Sequence, residues 1–366
     1  MRLGLVGIGI IAEDYLGIIS QGMVPEVTIT ALCSRQEVKL RSVQERYHLN
    51  CSLFTDYVEM LKSGTIDGVL IATPHGQHPK MTKQALECGV HVLVEKPVGI
   101  YGDEVAPLVR LLSNRPELVC GVLYNRRASQ AFRFVKQLMD DGTVGNLIRA
   151  SWIISNLYRT EAYYKTSSWR GHWSSEGGGI LMTQASHQLD LMQWVCGFPD
   201  SVLARCRTVE RPIRVENEAE LLFTYPNGAR GYFFASAHES PGTNLLEIAG
   251  TRGTIRVRDD SLVEVIRLEQ DSDDFARICP NSFQQVPCTT ETYVFDDRDN
   301  KVQQAATISN FANAVAGKAT VACSLEDGLR SLQIIHGAYL SNWQNKTMTL
   351  PISESDFRTQ LLKADL

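Results

Sequence analysis

The chain has no long hydrophobic run. Its longest apolar stretch near the start, residues 3–12, falls short of the ~18 apolar residues that a membrane-spanning helix requires. No two of its nine cysteines have C-x-x-C spacing, which argues against a zinc ribbon or a redox dithiol. The cysteine count is odd and several lie in apolar runs such as Ala31-Leu32-Cys33, the pattern of buried free thiols in a reducing compartment. A charge excess is lacking as well. Lys and Arg number 36 against 41 Asp and Glu, a net charge of −5, without the basic stripe that duplex binding calls for. A short spot such as Arg126-Arg127 suits one phosphate or one small anion. The start, Met1-Arg2-Leu3-Gly4-Leu5-Val6-Gly7, enters a glycine turn with no signal-peptide cleavage region, so a soluble cytoplasmic protein is expected.

What is present is globular. The 366 residues are 44% hydrophobic and 21% charged, enough for a large core without disulfides or metal, and at about 150 residues per domain they suggest two domains. There are no repeats. In the first third, short Val-, Ile- and Leu-rich runs at 2–6, 28–33, 68–72, 91–94 and 118–123 alternate with amphipathic segments at 11–20, 37–47, 56–62, 79–87 and 103–112. Buried parallel strands with helical crossovers give that rhythm, so a doubly wound α/β sheet is expected. After about residue 125 the rhythm changes. A helix at 130–140 is followed by alternating segments at 147–154, 201–208, 219–225, 230–236, 245–249 and 254–257, separated by turns such as Pro226-Asn227-Gly228: a predominantly antiparallel sheet. Helices are expected at 180–195, 307–316 and 325–340, and residues 270–300 read as an acidic, irregular excursion. The division expected is 1–124 for the first domain and 125–366 for the second.

Gly7-Ile8-Gly9-Ile10-Ile11-Ala12 has the G-x-G-x-x-G/A form, placed after the first strand and opening the first helix. Gly7 permits the tight turn, Gly9 lets a pyrophosphate reach the backbone, and the small Ala12 allows close helix–strand packing. The phosphates then meet free N–H groups at the helix start, around Ile10 and Ile11. NAD enzymes commonly place an Asp or Glu about 20 residues further on, against the ribose 2′-hydroxyl. This chain has Ser34-Arg35 there, a hydroxyl and a guanidinium that suit a 2′-phosphate. NADP(H) is therefore favoured, with NAD(H) possible if Arg35 merely stacks on adenine.

Four further segments resemble one family. They are Ala72-Thr73-Pro74, Glu95-Lys96-Pro97 after a Val-rich strand, Tyr124-Asn125-Arg126-Arg127, and Gly177-Gly178-Gly179 followed by His187 and Asp190. Together they resemble the Gfo/Idh/MocA oxidoreductases over residues 2 to about 340. The resemblance implies an N-terminal Rossmann domain and a C-terminal α+β domain with a large, open, predominantly antiparallel sheet, through which members form homodimers or homotetramers. It implies an NAD(P)-dependent dehydrogenase or reductase acting on a sugar, sugar derivative or cyclitol. Two alternatives stand on the same scaffold: redox-assisted sugar elimination or hydrolysis with retained NAD, and a non-catalytic dinucleotide- or sugar-sensing regulator.

By the same resemblance Lys96 lies at the nicotinamide end beside the substrate hydroxyl. A Lys near a cationic nicotinamide, partly desolvated, has a lowered pKa and can exchange the alcohol proton. His187 matches the catalytic histidine, in the middle of its helix, with Thr183 and Asp190 on the same face. Many members have an aspartate where this chain has Thr183, which cannot act as a carboxylate base but can orient a hydroxyl. The catalytic set expected is thus Lys96, His187 and Thr183, and Arg126 joins these three as a substrate contact. The cofactor set adds Ala72, Thr73, Pro74, His78, Glu95, Asn125, Trp169 and Arg170 to Gly7, Gly9, Ile10, Ile11, Ser34, Arg35 and Lys96. His75 and His78 lack a third ligand, so no metal is expected. Neither a nucleic-acid nor a membrane partner is expected.

Overall fold

The apolar runs of the first third become six strands: β1 (Arg2–Val6), β2 (Thr28–Cys33), β3 (Ser52–Phe54), β4 (Gly68–Ile71), β5 (His91–Val94) and β6 (Cys120–Val122). The computed structural model describes residues 1–167 and 170–364. All six strands are parallel, in the order β3-β2-β1-β4-β5-β6, the doubly wound dinucleotide-binding order. Leu3, Leu5, Leu32, Leu70 and Leu93 are buried in one core with Tyr15, Leu16 and Ile18 of the helix Ile10–Ser20. Parallel strands place the turns that follow β1, β2, β4 and β5 on one edge of the sheet, the edge where ligands bind in such folds.

The molecule divides into two compact units whose boundary is not a single cut at residue 124. One compact unit comprises Met1–Ala128 with Asp299–Leu329, the other Ser129–Arg298 with Arg330–Leu366. The returning segment belongs to the first unit for physical reasons. Its helix, Asn300–Val315, is capped by Asp299, which accepts from the Lys301 N–H (2.8 Å), and it places Ala305, Ile308, Phe311 and Ala312 in the core just described. Beyond it, Cys323 O accepts from the Val122 N–H (2.9 Å), extending the sheet past β6. The helix expected at 307–316 thus starts seven residues earlier.

The second unit is built on nine strands: β7 (Leu147–Ile154), β8 (Ser201–Arg207), β9 (Glu218–Thr224), β10 (Arg230–Ser236), β11 (Asn244–Gly250), β12 (Gly253–Arg258), β13 (Leu262–Leu268), β14 (Cys288–Val294) and β15 (Met348–Thr349). Their order is β14-β13-β12-β11-β7-β10-β9-β8-β15, antiparallel except for β7 beside β10. Inward-facing Trp152, Phe233, Leu221, Leu246 and Ile255 are buried. Trp152 packs against Phe132 of the helix Gln130–Asp140 (ring centroids 5.6 Å) and donates its indole N–H to Asn244 Oδ1 (3.0 Å). Residues 270–300, expected to be irregular, contain a helix (Ser272–Ile278) and β14. All of β14 but Tyr293 is exposed, so the strand carries no alternation for periodicity to detect. Among the described residues no helix is long and apolar enough to cross a membrane.

Candidate active site

On the first unit the expected cofactor residues meet at the carboxyl edge of the sheet. Gly7 has φ +92°, and a Cβ there would lie 2.6 Å from Ala72 O; only glycine fits. Its N–H donates to Cys33 O (3.2 Å), tying the first turn to the end of β2. Gly9 caps the helix Ile10–Ser20 with no side-chain cap, and a Cβ there would meet nothing within 4 Å. The helix therefore begins with open space before its unsatisfied N–H groups, which fits a pyrophosphate. Ile10 is 87% exposed and Ile11 half-buried. Arg35 is exposed beyond β2, and Ser34 Oγ accepts from the Gln36 N–H (3.3 Å).

Two buried side chains hold this edge together. His78 has no exposed surface; Nδ1 lies 2.8 Å from Pro97 O and Nε2 2.7 Å from Thr73 O. Burial holds its pKa below the ordinary 6.5, so a neutral ring with one N–H stands between two carbonyl acceptors. It links the turn carrying Thr73-Pro74 to the turn carrying Lys96. Glu95 is buried; it accepts the Tyr15 hydroxyl and the Lys96 N–H (3.0 Å). Burial raises the Glu95 carboxyl, and raises Tyr15 well above 10 chiefly for the same reason. Lys96 is half-buried, one turn beyond β5, with its main chain fixed by Glu95, and the Lys96–Pro97 bond is cis. Ala72 and Thr73 are half-buried and Pro74 exposed. Asn125 is buried and donates to Asn300 Oδ1 (2.8 Å); Arg126 is half-buried beside it. Arg127 reaches Ala322 O (3.1 Å) and Asp327 (3.3 Å), a structural tie.

On the second unit the three glycines do not open a helix. Gly177 (φ +81°) ends the short helix Trp173–Glu176; a Cβ on Gly178 would strike the Tyr339 hydroxyl, and one on Gly179 would strike Glu216 O. Glu216, which sequence patterning did not single out, is the centre of this turn. It is 2% exposed and accepts from the Gly179 N–H (2.8 Å), the Leu181 N–H (3.0 Å) and the Tyr339 hydroxyl (2.7 Å). Even so, burial outweighs these donors and lifts its carboxyl to about 7. The helix expected from 180 starts only at Ser186 and ends at Cys196; the residues before it form turns, in which the Ala185 N–H donates to Ile180 O (2.8 Å). His187, expected in its middle, lies in its first turn and is half-buried.

Thr183 lies in the turn before that helix, donating to Gly179 O (2.7 Å). Its Oγ1 is also 2.5 Å from Gln184 Oε1, and Gln184 Nε2 reaches the Tyr163 hydroxyl (2.8 Å). The same hydroxyl accepts from Arg170 Nη1 (2.6 Å), and Arg170 stands 3.7 Å from the buried carboxylate of Glu176. Thr183 and Arg170 are thereby joined. Asp190, fully buried, accepts from Ser331 (2.9 Å) and Gln193 (3.3 Å). Trp173 packs edge-on against Tyr339 and Trp343 with its N–H on Arg214 O. Trp169 lies outside the described residues. No group of three His, Cys, Asp or Glu among the described residues could hold a metal.

The family model described as "Oxidoreductase family, NAD-binding Rossmann fold" matches residues 1–122, and the one described as "GFO/IDH/MocA C-terminal domain" matches 132–256. Among curated relatives, the trans-1,2-dihydrobenzene-1,2-diol dehydrogenase of Mus musculus is 24% identical over 264 residues, 70% of this chain and 74% of that protein. Among solved structures, levoglucosan dehydrogenase in complex with NADH superposes with a TM-score of 0.82 at 19% identity, over 96% of this chain and 100% of the other. The WlbA dehydrogenase of Bordetella pertussis, in complex with NADH and UDP-GlcNAcA, gives 0.77 at 23%, over 96% and 99%. At those identities the structures attest the fold.

Proposed function

The chain belongs to the Gfo/Idh/MocA oxidoreductase family, and on that footing we propose that it is an NAD(P)-dependent dehydrogenase or reductase of CH–OH groups acting on a sugar, sugar derivative or cyclitol. The observation that carries the proposal is the joining of an open glycine turn to a lysine turn. Gly7 sits against Ala72, His78 ties Thr73 to Pro97, and Tyr15, from the helix that Gly9 caps, holds Glu95 beside Lys96.

A bound nicotinamide dinucleotide would supply the hydride acceptor or donor. Gly7, Gly9 and the N–H groups at Ile10 and Ile11 hold its pyrophosphate. Ser34 and Arg35 receive the adenosine end, with a 2′-phosphate favoured. Ala72, Thr73, Pro74 and Asn125 border the nicotinamide portion, and Arg170 and Trp169 complete the set. Lys96 takes the hydroxyl proton on oxidation and returns it on reduction; while protonated, it stabilises developing alkoxide charge. His187 relays or donates that proton, Thr183 orients the hydroxyl, and Arg126 contacts the substrate.

We further propose a homodimer or homotetramer formed through the outward face of the nine-stranded sheet. Leu203 pairs with Leu222 and Ile153 with Leu245 on that face, and Leu203, Leu222 and Ile153 are each at least 36% exposed.

The test is a panel of sugars and cyclitols with NAD and NADP, followed at the reduced-nicotinamide absorbance band. Lys96→Ala should lower kcat by about 10²- to 10⁴-fold while cofactor binding persists. Turnover unchanged in that variant would refute the assignment.

A further inference from the structure

The structure assigns a second task to the second unit: we infer that Arg159, Arg211 and Arg170, gathered on Tyr158 and Tyr163, form an anion subsite that receives a carboxylate or phosphate carried by the substrate. This deepens the oxidoreductase reading and rests on it, since it places an acidic sugar or a sugar phosphate among the sugars proposed above.

The three guanidinium groups share two rings. Arg170 stands 4.5 Å and Arg159 5.2 Å from the Tyr163 ring centroid, and Arg211 5.5 Å from that of Tyr158. Arg211 Nε donates to Arg159 O (3.0 Å), fixing the two segments to each other. Both of these arginines are half-buried, and both act to lower the pKa of Tyr164, which burial nonetheless carries up to about 12. Three like charges therefore converge on one patch of a chain whose net charge is −5.

One protein carboxylate, Glu176, pairs with Arg170, and the other two guanidinium groups have no such partner. Among the described residues Arg159 and Arg211 form no ion pair; their acceptors are carbonyls. Arg159 Nη1 donates to Leu157 O (3.2 Å) and Tyr158 O (2.9 Å), and Arg211 Nη1 to Glu210 O (2.7 Å). That leaves Arg159 Nε and Nη2 and Arg211 Nη2 with no acceptor among the described residues. The acid facing the cluster is Glu176, 3.7 Å from Arg170, and its Oε2 already accepts the Gly171 N–H (2.6 Å). Like charges held together at partial burial repel. Stacking on tyrosine offsets part of that cost, and a bound anion would offset the rest through charge-assisted, bidentate hydrogen bonds.

The patch also adjoins the residue proposed to orient the substrate. The Tyr163 hydroxyl accepts from both Arg170 and Gln184, and Gln184 touches Thr183. An anion on the arginines and a hydroxyl on Thr183 can thus belong to one small molecule.

The test is calorimetric titration of the NADH-loaded protein with D-glucuronate, glucose 6-phosphate and glucose. One or both anions should bind at least tenfold more tightly than glucose, and the stronger of the two identifies carboxylate or phosphate as the group received. Arg211→Gln and Arg159→Gln should each weaken the anion by about 10- to 100-fold, the range for hydrogen bonds to charged groups, while glucose changes less than twofold. Arg258→Gln, at the far end of β12, should change neither. Equal binding of all three sugars, no binding of either anion, or anion preference surviving in both arginine variants would overturn the subsite. Anion binding without turnover of any sugar would refute the oxidoreductase reading and leave the subsite standing; turnover of neutral sugars with no anion preference would do the reverse.

Discussion

Replacing Glu216 by glutamine tests the buried carboxylate directly. In the folded chain its carboxyl is raised from 4.5 to about 7, so between those values the folded protein holds a proton that the unfolded chain has released. Stability from this group is therefore fully present below about pH 4.5 and is lost as pH rises through about 7. At roughly 1.4 kcal/mol for each pKa unit, the loss between pH 5 and pH 8 is about 2 to 3 kcal/mol. For a unit of roughly 200 residues that is a fall in its melting midpoint of about 5–10 °C. Glu216→Gln cannot ionise, so its midpoint should lack this component. The glutamine is the less stable protein at pH 5, because its amide nitrogen cannot accept a hydrogen bond whereas both oxygens of the neutral carboxyl can, a cost of about 1–3 kcal/mol. His78 and His91, whose pKa values burial lowers, act in the opposite direction but equally in both proteins. Differential scanning calorimetry at pH 5 and pH 8 reads the difference of differences. Parallel pH trends in the two proteins would show that the Glu216 proton does not change on folding, and the account of the turn would fail.

Arg35→Ala should lower kcat/KM with NADP(H) by about 10- to 100-fold while leaving NAD(H) within a few-fold, since the loss of one charge-assisted contact to the 2′-phosphate costs about 1.5–3 kcal/mol; an unchanged cofactor ratio would dismiss the NADP(H) preference. Tyr15→Phe keeps the buried ring but removes the hydroxyl from Glu95, and should destabilise the protein by about 1–3 kcal/mol in urea titration. Stability equal to the parent would mean that Glu95 finds its partners elsewhere.

The fold was legible wherever burial imposed a period. Strands β1, β2, β4 and β5 are continuous apolar runs because both faces are covered, and each has at most two residues short of full burial. Of the elements missed, β13 alternates only over its first half, with Val263 and Val265 buried, and two others carry no such signature. β3 has three residues and none fully buried, and β14 has no buried face. The return of residues 299–329 to the first unit is a matter of tertiary packing by Phe311 and Ile308, and an apolar helix face does not state in sequence which core it joins.

The site shows a sharper division. The glycine turn was readable because its chemistry is backbone chemistry: Gly7 needs a positive φ and Gly9 needs empty space, and both conditions leave a mark in sequence. His78 and Glu95 were readable as candidates, but the carbonyls, hydroxyl and N–H that they join are set by tertiary packing and leave no mark in sequence. Glu216 left a weaker signal still, an acidic residue in the Val-Glu-Asn-Glu run between two strands. Yet the three glycines more than thirty residues earlier are explained by it. With Gly178 against the Tyr339 ring and Gly179 against the Glu216 carbonyl, any side chain would push the turn off the carboxylate, and with it Thr183 and the start of the helix that bears His187. The glycine run reads as a functional motif, but its immediate physical cause is a buried carboxyl that accepts from three donors, and the placing of Thr183 and His187 follows from satisfying it.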